Sequence, residues 1–223
     1  MTRLHAVVEG QTEETFVNRV LAPEFWALDV FVDVHCVTTG RKRGISRGGI
    51  SRYEQLKTDL TLWMKEDQRP DAWFTTMVDL YAPPEDFPGF DDCTKNADPI
   101  RRVECLEERL HNDLADRRFI PYIQLHEFEA LLFSDPRHFE SAFPRDATVV
   151  RELTAIRNEF PTPEYIDDGP GSAPSQRILA LRPDYKKTVA GLQVVQQIGF
   201  ATLLRECAHF NQWIGRIEMA ATR

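Results

Sequence analysis

The run L-H-A-V-V-E-G-Q-T-E-E-T-F-V at residues 4–17 changes its period halfway along. Leu4, Ala6, Val7 and Val8 form an apolar run that reads as a strand stopping at Glu9-Gly10. Thr12 stands where a helix N-cap belongs, just before Glu13 and Glu14, so the expected order is strand, tight turn, helix. Glu9 then sits at the C-terminal end of a strand, with two further carboxylates four and five residues on. In open α/β sheets ligands bind at that edge. Glu13 and Glu14 also have a plain explanation, because acidic side chains favour the positive end of a helix dipole. Glu9 precedes the turn and has no such explanation.

Residues 13–28 place Phe16, Val17, Val20, Leu21, Phe25 and Trp26 at helical spacing, with Pro23 expected to bend the helix or end its first part. F-V-D-V-H-C-V at 31–37 reads as a β-branched strand with Val32, Val34 and Cys36 on one face. Asp33 and His35 on the other face suit a solvated or edge strand better than a catalytic pair. Ser51 is a candidate cap for a helix over 51–67, with Tyr53, Leu56, Leu60, Trp63 and Met64 along one side. The run over 73–80 is apolar on both faces apart from two threonines and Asp79, as a central parallel strand should be. Asp79 is thus a second carboxylate at a strand's end. The order strand, helix, strand, helix, strand sets this strand beside the first in a parallel sheet, where Glu9 and Asp79 converge.

A Pro-, Gly- and Asp-rich loop over 81–99 is long enough for a lid. Residues 100–118 read as a charged helix, and F-I-P-Y-I-Q-L as a fourth strand placed at an edge by Pro121. H-E-F-E-A-L-L-F-S-D-P follows at once, so Glu127 and Glu129 again follow a strand and open a helix. Helices are expected near 149–160, 175–181, 189–198 and 200–217, interrupted by a Pro/Gly/Asp-rich stretch at 161–175 that reads as an ordered loop or a hinge. Lys186 and Lys187 are candidate phosphate contacts or ordinary surface lysines. The expected organisation is an α/β domain over 1–135, a parallel-sheet core flanked by helices, with a helical C-terminal region over 136–223 packed on it.

With 223 residues the chain can bury a sizeable core without staples. Its four cysteines, Cys36, Cys93, Cys105 and Cys207, form no C-x-x-C pair and read as isolated reduced thiols, which with no signal peptide or bilayer-length apolar stretch points to the cytoplasm. Lys and Arg number 27 against 35 Asp and Glu, a net charge of −8 that disfavours non-specific coating of nucleic acid. A nuclease stays open if positive charge is concentrated locally. The stretch T-T-G-R-K-R-G-I-S-R-G-G-I-S-R does this: Arg41, Lys42, Arg43 and Arg47 lie among four glycines with no acidic residue between Asp33 and Glu54. It reads as a phosphate-gripping loop or as a solvated surface loop.

Carboxylates at three strand ends, no Cys/His cluster and one basic loop point to hard divalent ions held by oxygen, Mg²⁺ or Mn²⁺. Two such ions, about 3.5 to 4 Å apart, serve in-line phosphoryl displacement. The H-E-x-x-H zinc motif and the dinucleotide glycine fingerprint are both missing from the sequence.

V-V-E-G-Q-T-E-E at 7–14, with V-D-L-Y at 78–81, resembles the Toprim domain, whose pattern is a Glu after the first strand and an Asp-x-Asp after a later one. V-D-L-Y-A-P-P-E-D-F-P-G, H-E-F-E-A-L-L-F-S-D-P, D-G-P-G-S-A-P-S-Q-R-I, Y-K-K-T, I-G-F and C-A-H-F-N-Q-W-I are similar to segments of a family of Toprim-like bacterial proteins, so the likeness spans nearly the whole chain. The resemblance implies that Glu9 is the Toprim glutamate and Asp79 the first Asp of the pair. Tyr81 replaces the second Asp, and the missing ligand is then sought at Glu127, Glu129 or Asp86. Glu13 matches the second acid of the two-metal OLD (overcoming lysogenization defect) nucleases. The implied function is a metal-dependent nuclease acting on nucleic acid, DNA ahead of RNA. Glu9, Glu13, Asp79 and Glu129 would hold Mg²⁺ or Mn²⁺ with support from Glu127, Lys187 would stabilise developing charge, and Arg41, Lys42, Arg43 and Arg47 would grip phosphate. An ATPase partner of the ABC or SMC type and an anti-phage role are implied by the same likeness. The alternative is a non-catalytic binding or regulatory module of such an ATPase, which the missing Asp favours.

Overall fold

The computed structural model describes residues 1–37, 52–80, 83–166 and 171–222. The fold is α/β, a parallel sheet flanked by helices with further helices toward the C-terminus. Two compact units divide the chain: Met1–Ile123 with Gly215–Arg223, and Gln124–Ile214.

The first unit contains β1 (Thr2–Val8), α1 (Gln11–Phe16), a π turn (Val17–Leu21), α2 (Ala22–Trp26), β2 (Val30–Cys36), α3 (Tyr53–Glu66), β3 (Ala72–Asp79), α4 (Phe90–Cys93), α5 (Pro99–Leu114) and β4 (Phe119–Ile120), and ends in the short β5 (Ile123–Gln124). Strand order is β2-β1-β3-β4, with β5 also on β3, and the β1–β2, β1–β3 and β3–β4 pairs are all parallel. Residues 4–8 of β1 and 74–78 of β3 are buried without alternation, because central parallel strands are covered on both faces. β2 alternates, with Phe31, Asp33 and His35 exposed and Val32, Val34 and Cys36 half-buried, as expected of an edge.

Several elements depart from the sequence reading for local reasons. α1 starts at Gln11 with Gly10 as its N-cap, so Thr12 is buried in the first turn and caps nothing. The single helix expected over 13–28 is interrupted by the π turn just before Pro23, a residue that cannot donate to a regular ladder. α5 is capped by Asp98, whose Oδ1 accepts the Ile100 N–H at 2.9 Å, and it stops at Leu114 because Ala115 takes the left-handed conformation. Pro121 breaks the expected fourth strand into two pairs of residues. Thr76 repairs the gap: its hydroxyl donates to the Tyr122 carbonyl at 2.9 Å and accepts the Tyr122 N–H at 3.0 Å.

The cysteines correct the expectation of four reduced thiols. Cys93 of α4 and Cys105 of α5 form a disulfide, while Cys36 and Cys207 are free. The chain turns back between the end of α4 and the Asp98 cap, which lays α4 on α5. A spacing of twelve residues carries no signature of that turn.

The second unit opens with a helix where the sequence suggested one, of the 3₁₀ kind (Phe128–Ser134). There follow α6 (Phe139–Ala142), α7 (Ala147–Asn158), α8 (Pro174–Leu181), a π turn (Lys187–Gly191) leading into α9 (Leu192–Ile198), α10 (Phe200–Glu206) and α11 (Ala208–Ala221), whose last turns belong to the first unit. Phe128, Leu131, Phe133, Phe139, Val194 and Phe210 are fully buried there. The helix expected over 200–217 splits at Cys207. Glu164 explains the break: its carboxylate accepts the N–H groups of His209 at 3.2 Å and Phe210 at 3.1 Å, so it caps a new helix start from a distant loop. No helix among the described residues is long and apolar enough to cross a membrane.

Candidate active site

Val8, the last residue of β1, is level with Cys36 on β2 and Met77 on β3. Glu9 comes next. Its N–H extends the ladder to the Met77 carbonyl at 3.2 Å, and its side chain turns to the same strand, where Oε2 accepts the Asp79 N–H at 2.9 Å. The two carboxylates therefore stand at the C-terminal ends of adjacent parallel strands, and the backbone of β3 orients Glu9. Both are half-buried. Glu13 is only 3% exposed and folds back over the turn, with its Oε2 at 3.6 Å from where a Cβ on Gly10 would be. The negative field is felt by Cys36, whose thiol is pushed up to about 11 by burial first and then by Glu14 and Glu13.

A second polar set lies in the other unit. Glu127 accepts the Ser175 N–H at 2.9 Å and its hydroxyl at 3.0 Å, which caps the start of α8. Glu129, 3% exposed, accepts the Tyr185 hydroxyl at 3.4 Å and lies 3.7 Å from Lys187 Nζ. Lys187 also stands over the Phe128 ring, 5.6 Å from its centre. Burial, followed by the charge of Glu129, holds the Tyr185 phenol far above its ordinary range. Gly191 makes room for that phenol, since a Cβ there would be 2.6 Å from the hydroxyl oxygen. His126, a neighbour of the acidic pair in sequence, is buried and donates from Nε2 to the Glu164 carbonyl at 2.9 Å.

Among the described residues no group of three or more His, Cys, Asp and Glu side chains is disposed to hold a metal ion. A closed all-protein cage is therefore not what these residues form. Glu9 and Asp79 do offer a pair of hard oxygen donors, and Mg²⁺ is commonly held by one or two carboxylates, with waters and substrate phosphates completing its shell. The donor chemistry fits an ion of that kind.

A family profile described as a domain of unknown function (DUF4276) matches residues 8–218. The chain belongs to the DUF4276 family. Curated proteins and solved structures give no match. The DUF4276 span contains both carboxylate sets, Glu9, Glu13 and Asp79 in the first unit, and Glu127 and Glu129 with Lys187 in the second. Arg41, Lys42, Arg43 and Arg47 lie outside the described residues, as does Tyr81. Asp86, one candidate for the missing ligand, accepts the Tyr53 N–H at 3.0 Å and caps α3. Sequence reasoning passed over Ser175, Tyr185 and Gly191 of this DUF4276 chain. Ser175 was signalled only by membership in the Pro/Gly-rich stretch and Tyr185 by the Y-K-K-T segment, while Gly191 belongs to neither.

Proposed function

We propose that the first unit is a Toprim-like site for metal-dependent cleavage of phosphodiester bonds, a nuclease acting on DNA or RNA. The observation that supports this reading is the hydrogen bond from the Asp79 N–H to the Glu9 carboxylate, which sets that carboxylate against the end of the strand that carries Asp79, at the edge where open α/β sheets bind ligands. Glu9 and Asp79 would hold Mg²⁺ or Mn²⁺, with Glu13 behind them. When bound, such an ion neutralises charge on phosphate oxygens and makes a water a stronger nucleophile. Glu9, already oriented by β3, is assigned the proton of the attacking water. Residues 41–47 are assigned the phosphate backbone on charge alone. Glu127, Glu129 and Lys187 form a set of their own and carry no step in this reading. A cytoplasmic setting and an ATPase partner rest on the sequence and its resemblance. Purified protein with Mg²⁺ or Mn²⁺ should nick plasmid DNA or cleave RNA, and chelation with EDTA should stop it.

One observation favours a second reading, a binding or regulatory module. Glu9 already serves the sheet through the Asp79 N–H, and no third ligand is gathered around it among the described residues. Calorimetric titration with Mn²⁺ separates the two: saturable binding that Asp79→Asn removes belongs to the nuclease, and no binding belongs to the module.

A further inference from the structure

The strand at the end of the sheet carries a self-complementary pattern. Two bonds fix which way its backbone faces: the Val37 N–H donates to the Val8 carbonyl at 2.9 Å, and the Asp29 carbonyl accepts the Thr2 N–H at 3.1 Å. Alternation along a strand then turns the N–H and C=O of odd-numbered residues toward β1 and those of Val30, Val32, Val34 and Cys36 toward the outer edge. Among the described residues no strand pairs with that edge. β2 itself has neither Lys nor Pro, two usual protections of an edge, and shows Phe31 at 41% exposure, with exposed Trp26 and Leu28 just before it.

We propose that β2 is the interface through which two copies of this chain pair, antiparallel about a two-fold axis at Val34. In that register Val34 of each copy exchanges both backbone bonds with Val34 of the other, and Val32 does so with Cys36. Asp33 of each copy falls opposite His35 of the other, in the closely spaced sites between backbone bonds where side chains interact most. The pair occurs twice by symmetry. Both groups are available for it: the Asp33 side chain is 53% exposed although His5 Nδ1 lies 3.7 Å from it, and His35 is exposed while packing edge-on to Trp63. Moving the axis to Asp33 would set Asp33 against Asp33, and like charges directly opposite are unfavourable. Charge therefore favours the Val34 register over the Asp33 one.

Sedimentation of the full chain over a concentration series tests this. The wild type should show a monomer–dimer equilibrium, and Val34→Pro, which removes an outward N–H that β1 does not use, should be monomeric. Asp33→His and His35→Asp should each raise the dimer dissociation constant about tenfold. Mixing those two single variants should restore dimerisation, because the mixed pair sets His against Asp at both sites. A monomeric wild type, a Val34→Pro variant that dimerises normally, or a mixture no tighter than its components would overturn the proposal.

Discussion

Asp67 shows how one side chain fixes a local arrangement that composition hides. It accepts from His5 Nε2 at 2.9 Å and is chelated by Arg69. The Arg69 guanidinium most of all, outweighing burial and joined by His5, holds this carboxyl well below its ordinary value of 3.8. A carboxyl held low contributes stability that is complete above its unfolded value and is lost as pH falls through that value toward the folded one. Thermal melts should therefore show wild-type stability falling as pH drops below 3.8, whereas Asp67→Asn starts lower at neutral pH and declines less steeply. Equal slopes would refute the assignment. Glu9 was legible in the sequence as a charge at a strand's end, because an apolar run followed by Glu-Gly needs no partner to be read. Its bond to the Asp79 N–H was not legible, since it joins residues 70 apart and depends on strand register.

Among elements, those set by local pattern matched the sequence best. β1 and β3 were marked by burial on both faces and β2 by alternation, while breaks made by distant partners were not marked at all. α11 begins where it does because Glu164 reaches it from a loop 45 residues earlier. Glu164→Ala should leave two buried N–H groups unsatisfied and cost about 1–3 kcal/mol in urea unfolding. No change in midpoint would mean that the loop does not set the helix start. The Cys93–Cys105 bridge ties α4 to α5 by a similar non-local turn. Replacing both cysteines by serine, or adding reductant, should lower stability by about 2–4 kcal/mol if the oxidised pair constrains the unfolded chain. A cytoplasmic setting would hold the pair reduced.

At the scale of the molecule the α/β class and the parallel sheet followed from a few apolar runs and their order. The site is harder to read from sequence, because Glu9 and Asp79 lie 70 residues apart. Glu9 and Asp79 meet because Val8 and Met77 share a register, a fact that only pairing supplies. The central claim is that this pair is catalytic, and Glu9→Gln is the cleanest probe of it. A glutamine keeps an oxygen to accept the Asp79 N–H, so the sheet edge survives while the charge is removed. Cleavage of plasmid DNA and of RNA with Mg²⁺ or Mn²⁺ is the measurement, made on wild type, Glu9→Gln and Asp79→Asn after matched melting curves establish that all three are folded. The predicted result is cleavage by wild type and a loss of about a hundredfold or more in both variants. Variants that cleave as fast as wild type would contradict it.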